Sequence, residues 1–294
     1  MKEEKRKKSR KDRKDARYIK TTPMARLMTY LKERQDADVY INKKIDCTEL
    51  VKYMKKKKVK EPETTFFHAF TMACAKTVYN RPKLNRYIID HKCYERYDVV
   101  FSFVAKTDYK DDSKEFMVCL KVDKDDTIDD IRNKIKERVS KVRNNVQGES
   151  DDSLDILDKL PNWLLKLVVV PIFKWLDRHD HLPKKLATDF IYNSTMIISN
   201  LGSIKCGAIY HNITDFGTNS ILTTIGDIHK EPMVIDGKIE IRDVVELGIN
   251  LDERIADGVY FSKAVNLLEH ILTHPQLLEE KASERIEEKK DFEY

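Results

Sequence analysis

The stretch that most constrains this chain is Val245-Glu246-Leu247-Gly248-Ile249-Asn250-Leu251-Asp252-Glu253-Arg254-Ile255-Ala256-Asp257-Gly258. An apolar run ends in a dense polar turn that closes on Asp-Gly. Val259 to Leu272 follows with Phe261, Val265, Leu268 and Leu272 at helical spacing. A buried strand feeding a charged turn and then a helix can hold polar side chains rigidly at a pocket. The same pattern also makes a plain strand–turn–helix connection, with Asp257 capping the helix and Gly258 easing the turn. The residue pattern leaves both readings open.

The rest of the chain sets the frame around that turn. Its 294 residues suffice for one large domain. Residues 1–17 are almost all Lys, Arg, Glu, Asp and Ser, a run that buries no apolar area and reads as a disordered basic tail. No aromatic interleaves it, which counts against nucleic acid as a partner. The domain is expected over residues 18–280, with 281–294 a charged C-terminal tail. Five widely spaced cysteines without a C-x-x-C argue against disulfides and zinc. His179 and His181, at i and i+2, are read as surface residues, and no metal is expected. With no apolar N-terminal region, a cytoplasmic location fits best.

Along the chain, Pro23 opens a helix carrying Met24, Leu27, Met28 and Leu31. Asp38 to Asp46 alternates as a strand. Thr48 is the expected N-cap of a basic helix to Lys58, and Phe66 to Tyr79 reads as a buried helix. Tyr97 to Ala105 and Phe116 to Val122 read as strands, and 127–143 as an amphipathic helix. Phe190 to Ile198 and Ile221 to Ile228 read as strands, and Met233 to Ile241 as a hairpin about Asp236-Gly237. Leu160 to Leu176 holds both tryptophans, Trp163 and Trp175, with Lys166, Pro171 and Lys174 breaking the apolar run. It is too short to cross a bilayer. Peripheral contact with a membrane surface is one reading. The reading preferred is a helical hairpin packed over the sheet or over a substrate pocket, since helices apolar all round are usually buried.

Three phrases carry a family resemblance. Asp252-x-Arg254-x-x-Asp257-Gly258 resembles the Asp-His-Arg-x-x-Asp-Gly signature of dihydrolipoyl acyltransferase catalytic domains and chloramphenicol acetyltransferase, with Glu253 where that family has its catalytic histidine. Ile198-Ser199-Asn200-Leu201-Gly202 resembles the family's Ile-Ser-Asn-Leu-Gly, with Ser199 54 positions before Glu253. The succession from Ile45-Asp46-Cys47-Thr48-Glu49-Leu50 to Pro82-Lys83-Leu84-Asn85-Arg86 resembles the family's N-terminal half. The likeness runs from about Tyr18 to Leu278, interrupted by a helical insertion at 154–185.

The resemblance implies an α/β (α+β) fold: a chloramphenicol acetyltransferase-like mixed sheet flanked by helices, assembled as a homotrimer or larger homo-oligomer with its site between subunits. It implies acyl transfer between coenzyme A, as acyl-CoA substrate, and a thiol or hydroxyl acceptor. A base takes the acceptor proton and a hydroxyl stabilises the oxyanion. Ser199 stands at the position of the family's oxyanion donor, and Asp257 at that of a supporting residue. Glu253 is one candidate for the altered base. His211 is another, because a related bacterial group resembles this chain in pairing a His-Asn phrase there with Asp-Glu-Arg-Ile in the turn. The acyltransferase reading asks Ser199, Asp257 and one of Glu253 or His211 to share a pocket. The alternative is a non-catalytic trimeric scaffold or coenzyme A-binding relative, with Glu253 locked in an ion pair. No lipoyl-attachment turn is seen in the sequence, so a stand-alone acyltransferase is expected rather than a lipoyl-swinging subunit.

Overall fold

The computed structural model describes residues 9–106, 115–144, 160–183 and 190–287. Its centre is a seven-stranded sheet in which β2 (Asp38–Asp46), β10 (Lys238–Asp252), β8 (Ile221–Ile225), β7 (Met196–Asn200), β5 (Val99–Lys106) and β6 (Glu115–Val122) lie side by side, and β9 (His229–Ile235) pairs the first half of β10. The pairs β5–β7 and β7–β8 are parallel; β2, β9 and β8 all run antiparallel to β10. A sheet of mixed direction with helices against it is the expected fold class.

Alternation along the strands builds the core. Val245, Leu247, Ile249 and Leu251 of β10 point to one face with Ile198, Ile221, Ile225 and Phe101. Against that face pack α2 (Thr48–Lys60), α3 (Phe66–Asn80), α4 (Ile128–Asn144) and the final helix, Gly258–Thr273. Helix α3 is buried on nearly every side, which explains its lack of a polar stripe. It begins with a capping box: His68 Nδ1 accepts from the Thr65 backbone N–H at 3.0 Å, and Thr65 caps in return. A smaller sheet, β1 (Ala16–Ile19), β4 (Lys92–Arg96) and β3 (Arg86–Ile89), flanks the main one and packs on Tyr87 and Tyr94. The β9–β10 turn at Asp236-Gly237 has φ of +49° and +77°, the left-handed pair a two-residue hairpin demands.

The opposite face of the main sheet carries Ile197 and Ser199 of β7, Leu222 and Thr224 of β8, and Gly248, Asn250 and Asp252 of β10. An irregular strap over residues 206–213 crosses it at the backbone. The Asp227 N–H donates to Cys206 O at 3.0 Å, the Thr224 hydroxyl to Ile209 O, and the Ile213 N–H to Asp38 Oδ2 at 3.1 Å. A Cβ on Gly248 would sit 2.3 Å from Ile209 O, so only glycine lets the strap lie this close.

Several expectations need correction. Thr48 does not cap α2: it is the first helical residue, and Asp46 Oδ1 accepts from its N–H at 3.0 Å. The strand expected over 190–198 begins only at Met196, because 191–193 form a 3-10 turn. Ordered structure begins before Tyr18 and runs past Lys281. The Arg13 guanidinium is buried against Asp177, and the Ala282 N–H bonds Asp126 O at 2.8 Å. Among the described residues the insertion carries one continuous helix over 162–178, with a wider π-type stretch at Leu165–Val169 just before Pro171. A wide turn there accommodates a ring that would otherwise clash with the preceding turn. Trp163 and Trp175 are 63% and 54% exposed, so this helix does not cover the sheet. Insertion residues 154–159 and 184–185 lie outside the described residues, as do 1–8 and 288–294 of the tails.

Candidate active site

The polar turn is built around Asp252. This residue ends β10 opposite Asp38 of β2, with its N–H on Ser220 O at 3.0 Å, and its carboxylate is buried. Arg254 closes on it with two parallel bonds, Nε to Oδ1 and Nη2 to Oδ2, both 2.8 Å. A forked guanidinium–carboxylate pair of this kind fixes geometry as well as charge. The third guanidinium nitrogen, Nη1, donates to Lys32 O at 3.1 Å and ties the turn to the end of α1 (Pro23–Leu31). Arg254 is therefore occupied with Asp252, and its charge is not the partner of Glu253.

Glu253 is held by its main chain and pairs through its side chain. Its N–H donates to Ala37 O at 3.0 Å, and its half-buried carboxylate forms an ion pair with Lys32 Nζ. Asp257 takes the N-cap of the final helix, accepting from the Tyr260 N–H at 2.9 Å. That backbone hydrogen bond holds its carboxyl below the usual range, with Lys83 at 3.9 Å adding to the effect. Its side chain is 65% exposed, so Asp257 supports the turn from outside.

Behind the turn lies a buried charged cluster that the residue pattern did not signal. Burial lowers the Arg34 pKa to about 10, near the charges of Asp252, Arg254 and Asp38. Arg34 Nη1 donates to Gly217 O at 2.8 Å, fastening α1's end beneath the sheet. Asp38 is raised above its ordinary value by burial. Neither Lys32 nor Arg34 sits in a motif, and each reaches the turn across more than 200 positions of sequence, so no local signal marks them.

The structure does not bring the sequence-predicted residues into one pocket of one chain. Ser199 is level with Thr224, which is level with Gly248. Glu253 lies five residues further along β10, about 16 Å by strand rise, towards the N-terminal ends of β7 and β8. Ser199 and the turn thus stand at opposite ends of nearby strands. His211 is exposed on the strap; its N–H donates to Asn250 Oδ1 at 3.2 Å and its Nδ1 lies 3.4 Å from Asn212 O. It lies two strands from Ser199 and three residues short of Glu253 along β10, beyond hydrogen-bond reach of either. Among the described residues no group of three or more His, Cys, Asp or Glu could hold a metal.

The comparisons agree with this architecture. A family model of the 2-oxoacid dehydrogenases acyltransferase (catalytic domain) matches residues 179–279. The dihydrolipoyllysine-residue acetyltransferase component of the pyruvate dehydrogenase complex of Staphylococcus aureus strain Mu50 is 34% identical over 94 residues, 32% of this chain and 21% of that protein. The chain thus aligns with about a fifth of the length of that relative. Among solved structures, a probable dihydrolipoamide acetyltransferase of Listeria monocytogenes superposes with a TM-score of 0.56 at 18% identity, covering 87% of this chain and 94% of that one. A chloramphenicol acetyltransferase gives 0.52 at 14% identity, covering 87% and 99%. The C-terminal third of the chain is thus similar in sequence to the catalytic domain of 2-oxoacid dehydrogenase acyltransferases, and most of its length shares the chloramphenicol acetyltransferase-like fold.

Proposed function

We propose that this protein is a coenzyme A-dependent acyltransferase whose base is Glu253, acting at a site shared between subunits. The observation that carries the reading is the construction of the turn. Arg254 is neutralised by Asp252, and the Glu253 main chain is pinned to Ala37, so the Glu253 carboxylate projects from a rigid frame without an adjacent arginine on it. In the proposed reaction Glu253 takes the proton of an acceptor thiol or hydroxyl. The resulting anion attacks the thioester carbonyl of acyl-CoA, and a Ser199 hydroxyl donates to the tetrahedral oxyanion. Collapse expels the coenzyme A thiolate, which takes up the proton, and leaves the acyl group on the acceptor. Because Ser199 and Glu253 lie at opposite ends of the strands of one sheet, the serine belongs to a neighbouring subunit. A carboxylate is a far weaker base than the thiolate or alkoxide it must generate, so exclusion of water at the subunit boundary is part of the proposal.

A second reading has its own support. The Glu253–Lys32 ion pair suits a non-catalytic scaffold or coenzyme A-binding relative, in which the carboxylate is structural. The test is thiol release from acetyl-CoA with a panel of short dithiol and hydroxyl acceptors. Turnover in the native protein that falls at least about a hundredfold in Glu253→Gln, and not in His211→Ala, is the expected result. Loss in His211→Ala alone moves the base to the strap. No turnover with any acceptor, alongside coenzyme A binding, favours the non-catalytic relative.

A further inference from the structure

Two features stand outside the acyltransferase reading: the tryptophan-bearing helix over 162–178 and the basic N-terminal segment. The structure places them side by side. The inner side of the helix rests on the body through Phe173, whose ring stacks on Phe216 with centroids 4.9 Å apart. Its outer side exposes Trp163 at 63%, Leu167 at 67%, Val170 at 47%, Ile172 at 52% and Trp175 at 54%. The exposed charges there are cationic, from Lys166, Lys174 and Arg178, the last with Asp90 at 4.0 Å. The one acid in 162–178 is Asp177, which is turned inward and buried against Arg13: Arg13 Nη1 donates to Asp177 O at 2.9 Å, and Nη2 lies 3.4 Å from its carboxylate. The Lys14 N–H bonds Asp180 Oδ2 at 2.8 Å. Arg13 and Lys14 therefore deliver the N-terminal segment, with exposed Arg10, Lys11 and Lys14, to the C-terminal end of this helix. Upstream the sequence continues with Lys5-Arg6-Lys7-Lys8.

We propose that this helix and the adjoining basic segment form a docking surface for an anionic lipid membrane. Among the described residues no helix is long and apolar enough to cross a bilayer, so the helix lies in the interface plane. Tryptophan at both ends and lysine between suit that depth, where an amphipathic ring and a snorkelling ammonium both find partners. Apolar side chains alone attach weakly and reversibly; a cluster of cations beside them supplies the second attachment, each near the surface strengthening binding about fivefold. A second copy of the chain is the less suitable occupant. Pairing this face with itself brings Lys166 and Lys174 against their own like charges, and among the described residues of the helix the one acid, Asp177, is turned away from them. The proposal stands whether or not Glu253 is catalytic.

The test uses the full chain and vesicles of phosphatidylcholine containing about one third phosphatidylglycerol, compared with pure phosphatidylcholine. The chain has two tryptophans, both in this helix, so intrinsic emission reports on this face directly. The expected result is a blue shift and co-sedimentation with the anionic vesicles, reversed by about 0.5 M salt. Trp163→Ser and Trp175→Ser each weaken binding about tenfold, and Lys166→Glu with Lys174→Glu weakens it further. All four sites are exposed, and unchanged far-ultraviolet circular dichroism shows that the variants fold. Absence of co-sedimentation, equal binding to both vesicle types, or binding indifferent to these substitutions overturns the proposal. So does an oligomer that dissociates in the tryptophan variants without lipid binding in the native protein, which would make the face a contact between copies.

Discussion

At the residue scale the turn is organised by one buried ion pair. Asp252 and Arg254 satisfy each other with two bonds, and removing one partner strands the other charge away from water. Asp252→Ala is predicted to cost about 3–5 kcal/mol, read as a fall in the urea midpoint, whereas Glu253→Gln at the half-exposed neighbouring position changes stability by less than about 1 kcal/mol. Lys32 then discriminates between the candidate bases. If Glu253 is the base, Lys32→Ala, which removes its ion-pair partner, changes kcat/KM at least severalfold; if His211 is the base, kcat/KM is unchanged. His68 gives a prediction independent of function. Burial lowers its pKa to about 4, and its Nδ1 accepts the Thr65 N–H, so the folded state holds the ring neutral. Between about pH 6.5 and 4 the unfolded chain binds a proton that the folded chain refuses, so stability falls as the pH drops through that window, by up to about 3 kcal/mol. Urea unfolding at pH 7.5 and 5 should show this fall, and His68→Gln, which keeps an acceptor for the capping box, should flatten it.

At the scale of elements, periodicity was a good guide wherever burial is one-sided. Strand β2 spans Asp38–Asp46 as its alternation predicts, and α4 has its Ile128, Ile131 and Ile135 stripe on the core. The Asp257 cap was legible too, since the carboxylate that satisfies the helix N-terminus adjoins the helix in sequence. The strap over 206–213 was not, because its bonds run to side chains of distant strands and to the Asp227 N–H rather than to a regular ladder. Its trace is in the glycines. Gly248→Ala is predicted to push Ile209 off the sheet, costing about 1–3 kcal/mol. Limited proteolysis should then cut within 206–213 sooner than in the native protein.

At the scale of the whole molecule, the separation of Ser199 from Glu253 bears on assembly. A contact joining one end of the strands to the opposite end in the next copy is heterologous, and such contacts close only as a ring. The proposed site therefore requires a cyclic homo-oligomer, which sedimentation analysis can count. Mixing gives the sharper outcome. Ser199→Ala and Glu253→Gln proteins, each nearly inactive alone, should regain activity when co-assembled in equal amounts, because about a quarter of the shared sites then contain both native residues. A site contained within one subunit gains nothing from such mixing.

The sequence by itself determined most elements of the main sheet and its helices, the fold class and the family phrases around Ser199 and Asp252 to Gly258, because these rest on local periodicity, capping and residues adjacent in the chain. Only the tertiary structure decided what each charge meets. Arg254 could have faced Glu253, its neighbour, but turns to Asp252; Glu253 meets Lys32, more than 200 positions away. It also decided that Trp163 and Trp175 face outward, since apolar composition favours removal from water but does not choose between a protein interior and a lipid surface.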